Sequence, residues 1–249
     1  MEVVERLRAP DGCPWDRAQT LETLGHFLIE EAYEVREVMA GEDPALHQEE
    51  LGDLLFQIVL QTELRRERGA FSLAPVIEGI TRKLVRRHPH VFGDEVVSRA
   101  DEVPLRWEAI KRAEGKGKGT LADVPRALPA LMRAEKIGAR AARAGFDWPD
   151  VRGPLGKLDE EVGELREALA EGDPAHVKHE LGDVLFAAVN VARHAGVHPE
   201  EALAATNERF LRRYAHVETR LAETGRAPED ASLDELNDLW DEAKRRHGG

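Results

Sequence analysis

Two acidic motifs in the second half of the sequence carry side chains that could bind a divalent cation. Glu160-Glu161 is followed by Glu164, and Glu180 is followed three residues later by Asp183. In a helix, residues three apart are surface neighbours, so each motif would present carboxylates side by side. Carboxylate oxygens suit Mg²⁺ or Mn²⁺, and close carboxylates repel one another unless cations neutralise them. The spacing therefore indicates a metal site suited to chemistry on phosphates.

The same two motifs occur 130 positions earlier, at 30–34 and 50–53. In a chain with 48 acidic residues, a single Glu-Glu-x-x-Glu is most simply an exposed acidic surface, and that interpretation stays open for either copy. Both motifs nevertheless keep their spacing although neighbouring positions have diverged, as at Gln57 and Ala187. This favours a function in at least one copy. The first-half carboxylates are Glu30, Glu31, Glu34, Glu50 and Asp53.

Helices are expected to position these carboxylates. Leucine-rich stripes with intervals of three and four residues run from Leu155 to Leu169 and from Leu181 to Ala192, and we expect them to face a core. Asp173-Pro174 supplies a capping residue and a first-turn proline for the second of these helices. The first half repeats the pattern, and we find no convincing strand in the sequence.

A helical wheel turns about 100° per residue and predicts where the carboxylates point. Glu161 lies roughly 80° and Glu164 roughly 140° from the centre of its stripe, and Glu180 and Asp183 fall at about the same angles on theirs. Four carboxylates would therefore flank one groove if the two helices pack antiparallel. Glu160 faces away from its own core on this wheel.

The duplication predicts the domain organisation. Residues 50–56 read ELGDLLF and residues 180–186 read ELGDVLF, and a stretch rich in Gly and Lys lies between the two copies. We predict an all-α protein of tandem duplicated helical-bundle domains. The predicted domains are residues 1–112 and 127–249, joined by a linker at 113–126.

Composition limits the functions that the chain can have. With a formal net charge of −13, the chain is a poor non-specific binder of nucleic acid, whose phosphates attract Lys and Arg. No apolar run approaches the roughly 20 residues of a membrane-spanning helix. Cys13 is the single cysteine, which excludes an internal disulfide and fits a reducing compartment. We expect a cytoplasmic protein without a nucleic-acid or membrane partner.

Three further segments complete a resemblance to a known family. Residues 13–16 (CPWD), 86–92 (RRHPHVF) and 145–148 (GFDW), together with the acidic motifs, resemble the two-domain bacterial MazG proteins, which are all-α nucleoside triphosphate pyrophosphohydrolases. The resemblance implies cleavage of NTPs or dNTPs between the α- and β-phosphates, for nucleotide-pool cleansing or control of stress nucleotides. It also implies Mg²⁺ as cofactor, with Mn²⁺ as a possible substitute, and a homodimer.

The resemblance implies roles for individual residues. Glu160 and Glu161 would be catalytic, with Glu160 orienting water. Asn207, Arg209 and Arg213 resemble a later helix of the family that contacts phosphates. The corresponding first-half segment, 81–83, lacks the asparagine, so we expect the better hydrolytic site in the second half. The implied metal ligands are Glu161, Glu164, Glu180 and Asp183, with Glu31, Glu34, Glu50 and Asp53 as first-half counterparts.

Several other residues have two possible roles. Trp240 could stack on a nucleobase or pack inside the protein. Lys136 and Lys118 could contact phosphates, although a solvated linker is the simpler interpretation of Lys118. Gly138 stands where the family pattern leads us to expect glutamine.

Two functions are alternatives to hydrolysis. A carboxylate-bridged di-iron protein needs Glu-x-x-His pairs on facing helices, whereas the second motifs here end in Asp53 and Asp183. A non-catalytic helical regulator that binds nucleotides remains an alternative, above all for the first half. Metal-dependent turnover distinguishes the two.

Overall fold

The computed structural model describes residues 1–99, 102–114, 121 and 124–247, and every regular element in these residues is helical. The predicted all-α fold class is therefore confirmed. The chain divides into two compact units, Met1–Gly117 and Lys118–Gly249, and each contains one copy of the two acidic motifs. Among the described helices, none combines the length and apolar character needed to cross a membrane.

The first unit is built around a hairpin of two long helices. These are α3 (Leu24–Val38) and α4 (Pro44–Glu67), which make the most extensive helix contact of the unit. A small core of Val4, Leu24, Leu60 and Leu64 holds the N-terminal segment against them. The other helices are α1 (Glu2–Arg8), α2 (Pro14–Ala18), α5 (Leu73–Arg87), α6 (Pro89–Phe92) and α7 (Glu102–Ala113).

The second unit repeats the hairpin. Its two helices, α9 (Arg152–Glu171) and α10 (Pro174–His194), make the most extensive contact within the described residues. Helix α8 (Ala130–Arg143) packs on α10, and α11 (Pro199–Ala222) packs on α12 (Leu233–His247). The paired motifs therefore lie on the two helices of a hairpin in each unit.

Capping residues fix where the second helix of each hairpin begins. The side chain of Asp173 accepts a hydrogen bond from the backbone N–H of Ala175 at 3.0 Å, and Pro174 is the first helical residue. Asp43 accepts in the same way from Ala45 at 2.9 Å, ahead of Pro44. Both caps satisfy backbone donors that have no intrahelical partner. The predicted helix start is thus confirmed.

The leucine stripes are helical, but the expectation that they face a core is wrong at several positions. Leu155, Leu169, Leu181 and Leu185 each leave about half of their surface exposed. The buried apolar residues of α9 and α10 include the small Ala168 and Ala187. Small side chains at a contact let helices approach closely and leave larger neighbours at the sides. A wheel alone cannot show which face a neighbouring helix covers.

An ion pair joins the end of α5 to the end of α7 in the first unit. Nη2 of Arg87 donates to Oε2 of Glu114 at 2.5 Å, and Nε of Arg86 donates to Oε1 at 2.7 Å. The Arg87 side chain is buried, with 5% of its surface exposed. These bonds, with Arg87 first, lower the pKa of Glu114 from its ordinary value of 4.5 to about 2.

The depressed pKa predicts a pH-dependent loss of stability. The ion pair contributes fully above pH 4.5, and its contribution disappears as the pH falls through about 2, because folding then no longer favours the ionised carboxyl. Glu114→Gln should therefore lower Tm at pH 7 but have little effect near pH 2. Thermal melts from pH 7 to pH 2 measure this. Glu95→Gln, which breaks an exposed pair with Arg106, is the matched control and should cost less. An equal Glu114→Gln effect at both ends of the range would contradict the prediction.

Candidate active site

Helices α9 and α10 bring three of the predicted carboxylates together in the second unit. Glu161, Glu164 and Glu180 each place an oxygen within 4.8 Å of the other two. Glu161 and Glu180 are buried between the helices, with 6% and 8% of their surfaces exposed, whereas Glu164 is exposed. Burying ionised carboxylates is costly unless cations compensate them. This acidic cluster therefore requires positive charge.

Lys157, one turn before Glu161 on α9, supplies part of that charge. Its Nζ lies 2.8 Å from Oε1 of Glu160 and 2.8 Å from Oε1 of Glu161, so one ammonium group bridges both carboxylates. The hydrogen bonds to Glu160 and Glu161 raise the pKa of Lys157. The bond from Lys157 lowers the pKa of Glu161, against the opposing effect of burial. Lys157 therefore holds Glu161 in the ionised form that a metal requires.

Glu164 has the opposite electrostatic character. A hydrogen bond with Glu161, followed by burial and repulsion from the Glu161 charge, raises the pKa of Glu164. Two adjacent carboxyl groups thus differ, because Glu161 ionises readily and Glu164 keeps a proton to higher pH. The negative charge of this pair is therefore carried mainly by Glu161.

Asp183 meets the cluster through Glu180. Oδ2 of Asp183 lies 3.0 Å from Nδ1 of His179, and Oε1 of Glu180 lies 3.3 Å from the same nitrogen. His179, Glu180 and Asp183 form a second set of potential ligand atoms within 4.8 Å of one another. Nε2 of His176 also lies 3.2 Å from Oε1 of Glu180. Glu180 belongs to both sets and is the centre of the arrangement.

The first unit assembles a similar cluster with different electrostatics. Glu31 from α3 and Glu50 and Asp53 from α4 place ligand atoms within 4.8 Å of one another. Burial, then Asp53 and Glu34, raise the pKa of Glu31. Burial, then Glu34 and Asp53, raise the pKa of Glu50. Both carboxyl groups therefore hold protons more strongly than ordinary glutamates.

One substitution explains much of the contrast between the clusters. Phe27 stands 130 positions before Lys157, so the first unit has an aromatic ring where the second has an ammonium group. Glu31 is instead approached by Nε2 of Gln57, at 3.4 Å from its Oε1. A neutral amide stabilises a carboxylate less than an ammonium does. Glu31 is thus harder to ionise than Glu161.

Two predicted substrate-binding residues lie together on α11 and α12. The guanidinium carbon of Arg213 is 5.9 Å from the centre of the Trp240 ring. Phe210 packs against the same ring with a centroid distance of 4.9 Å. Trp240 therefore has both an aromatic neighbour and a cation–π neighbour, and this stacking geometry fits either interpretation of the residue.

The other predicted substrate contacts are more dispersed. Asn207 on α11 and Lys136 on α8 are exposed, and Arg209 donates to the hydroxyl of Thr206 at 3.1 Å. Lys118 lies outside the described residues. The Glu160 side chain is 57% exposed and reaches the acidic cluster through Lys157.

A cavity of about 360 Å³ lies between α8, α10 and the segment that joins α8 to α9. Its lining is mainly apolar and includes Phe146 and Trp148, with Asp147 held by Arg193 at 2.6 Å. Gly138 also lines it, and a Cβ at this position would come within 2.7 Å of Oδ1 of Asn190. The absence of a side chain at Gly138 therefore accommodates Asn190.

Adding a methyl group at Gly138 should destabilise the second unit. Asn190 is 3% exposed, donates to the carbonyl of Phe186 at 3.1 Å and accepts from Arg193 at 3.3 Å, so it cannot move without losing these bonds. We expect Gly138→Ala to lower the free energy of unfolding by about 1–3 kcal/mol.

Urea denaturation measures this change, and the same substitution at a second glycine provides the control. Gly156 on α9 has no atom within 4 Å of an added Cβ, so Gly156→Ala should stabilise the chain by about 0.5–1 kcal/mol through helix propensity. A Gly138→Ala chain as stable as the parent would show that Asn190 adapts freely.

The prediction from sequence missed three residues at the site. Lys157, His176 and His179 were not among the candidates, although each stands one turn from an acidic ligand candidate. Lys157 and Glu161 are four apart, as are His176 and Glu180, and His179 and Asp183. This spacing places side chains in contact on a helix and was the available signal.

Comparison with known proteins identifies the family. The model of the MazG nucleotide pyrophosphohydrolase domain matches residues 19–92 and 155–218, and each match contains both acidic motifs. The chain is 42% identical over 254 residues to a nucleoside triphosphate pyrophosphohydrolase of Escherichia coli K12, and the aligned region covers 99% of this chain and 96% of that protein. It is 40% identical over 246 residues to a nucleoside triphosphate pyrophosphohydrolase/pyrophosphatase MazG of Thermotoga maritima, covering 98% and 94%. A nucleoside triphosphate pyrophosphohydrolase of Mycobacterium tuberculosis is 34% identical over 135 residues, covering 53% and 41%. The chain therefore belongs to the MazG family, as its motifs predicted.

Proposed function

We propose that this chain hydrolyses nucleoside triphosphates between the α- and β-phosphates, releasing a nucleoside monophosphate and pyrophosphate. We place the principal site in the second unit. The observation that carries this proposal is the burial of Glu161 and Glu180 in one cluster of ligand atoms with Glu164. Membership of the MazG family supports the reaction, and the ion pair with Lys157 favours the second unit over the first.

The donor set fits a hard divalent cation. Oxygen atoms from two helices converge within 4.8 Å, and two of the carboxylates are buried. Mg²⁺, or Mn²⁺ in its place, would be held by Glu161, Glu164, Glu180 and Asp183, and by Glu31, Glu34, Glu50 and Asp53 in the first unit. When bound, the cation neutralises phosphate charge and polarises the attacking water.

The protein's own groups would prepare the site for this reaction. Lys157 keeps Glu161 ionised, as a ligand of the metal must be. Glu160 would orient the attacking water beside Lys157. Five residues are proposed to contact the phosphates, the cationic ones through charge and the asparagine through hydrogen bonds: Arg209, Arg213, Lys136, Lys118 and Asn207. The aromatic ring of Trp240 is proposed as a surface on which a base stacks.

We further propose a cytoplasmic homodimer. The exposed leucines on both helices of the second hairpin support association, because monomeric proteins seldom expose large apolar areas. Light scattering coupled to gel filtration tests the dimer. A monomeric mass at micromolar concentration would contradict it.

Metal dependence tests the proposed function. The purified chain is incubated with each NTP and dNTP, with Mg²⁺, with Mn²⁺ or with a chelator, and nucleotides are separated by ion-exchange chromatography. We expect consumption of at least one nucleotide with metal and none with the chelator. Tight nucleotide binding without consumption would favour the alternative of a non-catalytic nucleotide-binding regulator. Equal consumption in the presence of the chelator would overturn the metal assignment.

A further inference from the structure

A histidine at the second acidic cluster has no counterpart in the first. His179 stands directly before Glu180, whereas Glu49 occupies the matching position before Glu50. The acidic residues of the two clusters are of the same types at the same spacing. The chain therefore offers an imidazole nitrogen at the second site where the first offers only another carboxylate.

The geometry places this nitrogen among the ligand atoms. Nδ1 of His179 is 3.0 Å from Oδ2 of Asp183 and 3.3 Å from Oε1 of Glu180, and the three residues offer ligand atoms within 4.8 Å of one another. His179 and Asp183 are four residues apart on α10, which is the spacing that lets two side chains of one helix bind a single ion. The His179 side chain is 74% exposed, so no packing holds it away from an ion.

Its neighbour His176 is placed differently. Nδ1 of His176 lies 2.9 Å from Oε2 of Glu171, outside the set of ligand atoms, and Nε2 lies 3.2 Å from Glu180. Both ring nitrogens of His176 thus lie against carboxylate oxygens, one from Glu171 and one from Glu180. This difference makes His176 a matched control for His179.

We propose that His179 is a nitrogen ligand of the metal at the second site and determines which metal that site prefers. The inference rests on the proposed function, since Glu180 and Asp183 are taken as ligands of the same ion. Imidazole suits later transition metals such as Co²⁺ and Ni²⁺, whereas Mg²⁺, and to a lesser degree Mn²⁺, prefers oxygen. The second site should therefore discriminate against Mg²⁺ more strongly than the first. The alternative role is that of a counter-ion, in which a protonated His179 pairs with the carboxylates and leaves when a metal binds.

Electron spin-echo envelope modulation distinguishes these roles, because it detects a nitrogen nucleus bound directly to Mn²⁺. The full chain carrying Glu50→Gln, which weakens the first site, is loaded with less than one equivalent of Mn²⁺ without nucleotide. We expect nitrogen modulation that is lost with His179→Gln and kept with His176→Gln. Bound Mn²⁺ without nitrogen modulation, or modulation that survives His179→Gln, would overturn the inference.

Calorimetry gives a second readout. His179→Gln should weaken Co²⁺ binding by about tenfold or more, because even the loss of a residue that only supports a metal ligand lowers metal affinity by about 10–100-fold. The same substitution should change Mg²⁺ binding much less. Equal effects on both ions would contradict a selectivity role. Failure of the proposed function would look different, because nitrogen modulation would be present although no triphosphate is hydrolysed. A chain that binds no Mn²⁺ would overturn both.

Discussion

Glu180→Gln is expected to reduce triphosphate hydrolysis by about 10³-fold, because metal stabilisation of the transition state contributes several kcal/mol and each 1.4 kcal/mol is tenfold in rate. Glu180 is the carboxylate shared by both sets of ligand atoms in the second unit. The amide keeps the size of the side chain but removes its charge. Steady-state rates at saturating Mg²⁺ measure the change.

Two controls make the result specific. Glu50→Gln alters the matching position of the first unit and should cause a much smaller loss of hydrolysis. The pKa of Glu50 is already raised, and Phe27 stands at the position that matches Lys157. Glu167→Gln changes an exposed glutamate of α9 and controls for loss of charge on the same hairpin. If Glu50→Gln abolished activity and Glu180→Gln did not, the first unit would be the hydrolytic centre.

Lys157→Met should lower kcat/KM at neutral pH by about 10–100-fold, the usual cost of losing a residue that supports a metal ligand. Lys157 is the largest cause that lowers the pKa of Glu161 against burial, so its removal lets that pKa rise. At a given pH, Glu161 is then protonated in a larger fraction of the molecules, and this proton must leave before the metal binds. The acid limb of the pH–rate profile should therefore move to higher pH, and activity should recover partly as the pH rises.

The pH profile separates this role from a merely structural one. Lys178→Met removes an exposed lysine of α10 and should leave both the rate and the acid limb near those of the parent. Misfolding of the Lys157→Met chain would lower the rate at every pH without moving the limb. An acid limb that stays in place would show that Lys157 does not control Glu161.

The sequence predicts the helices and the repeat of the molecule more reliably than it predicts the contacts between helices. Asp43 and Asp173 predict helix starts because capping is local, and the recurrence of motifs at a fixed offset predicts two similar units. The burial of Glu161 and Glu180 could not be predicted from a helical wheel, because it depends on which faces of α9 and α10 neighbouring helices cover. A helical wheel also treats every lysine as a surface charge and therefore predicts no role for Lys157 at the site.

The contrast between the two acidic clusters shows the same limit. Their motifs are nearly identical in sequence, so spacing alone predicts two equal sites. The difference arises one turn away, where Phe27 replaces Lys157, and one residue away, where Glu49 replaces His179. The importance of these positions can be seen only in the structure, where the helices place them beside the carboxylates. The predicted domain boundaries and substrate contacts stay predictions.

Phosphorus NMR of the reaction products is the most direct test of the proposed function. The chain is incubated with Mg²⁺ and a triphosphate that it consumes, and the spectra are compared with those of the Glu180→Gln chain. We expect equal amounts of nucleoside monophosphate and pyrophosphate from the parent chain and almost none from the variant. Nucleoside diphosphate with orthophosphate would contradict cleavage between the α- and β-phosphates, and unchanged products from Glu180→Gln would contradict the assignment of the site.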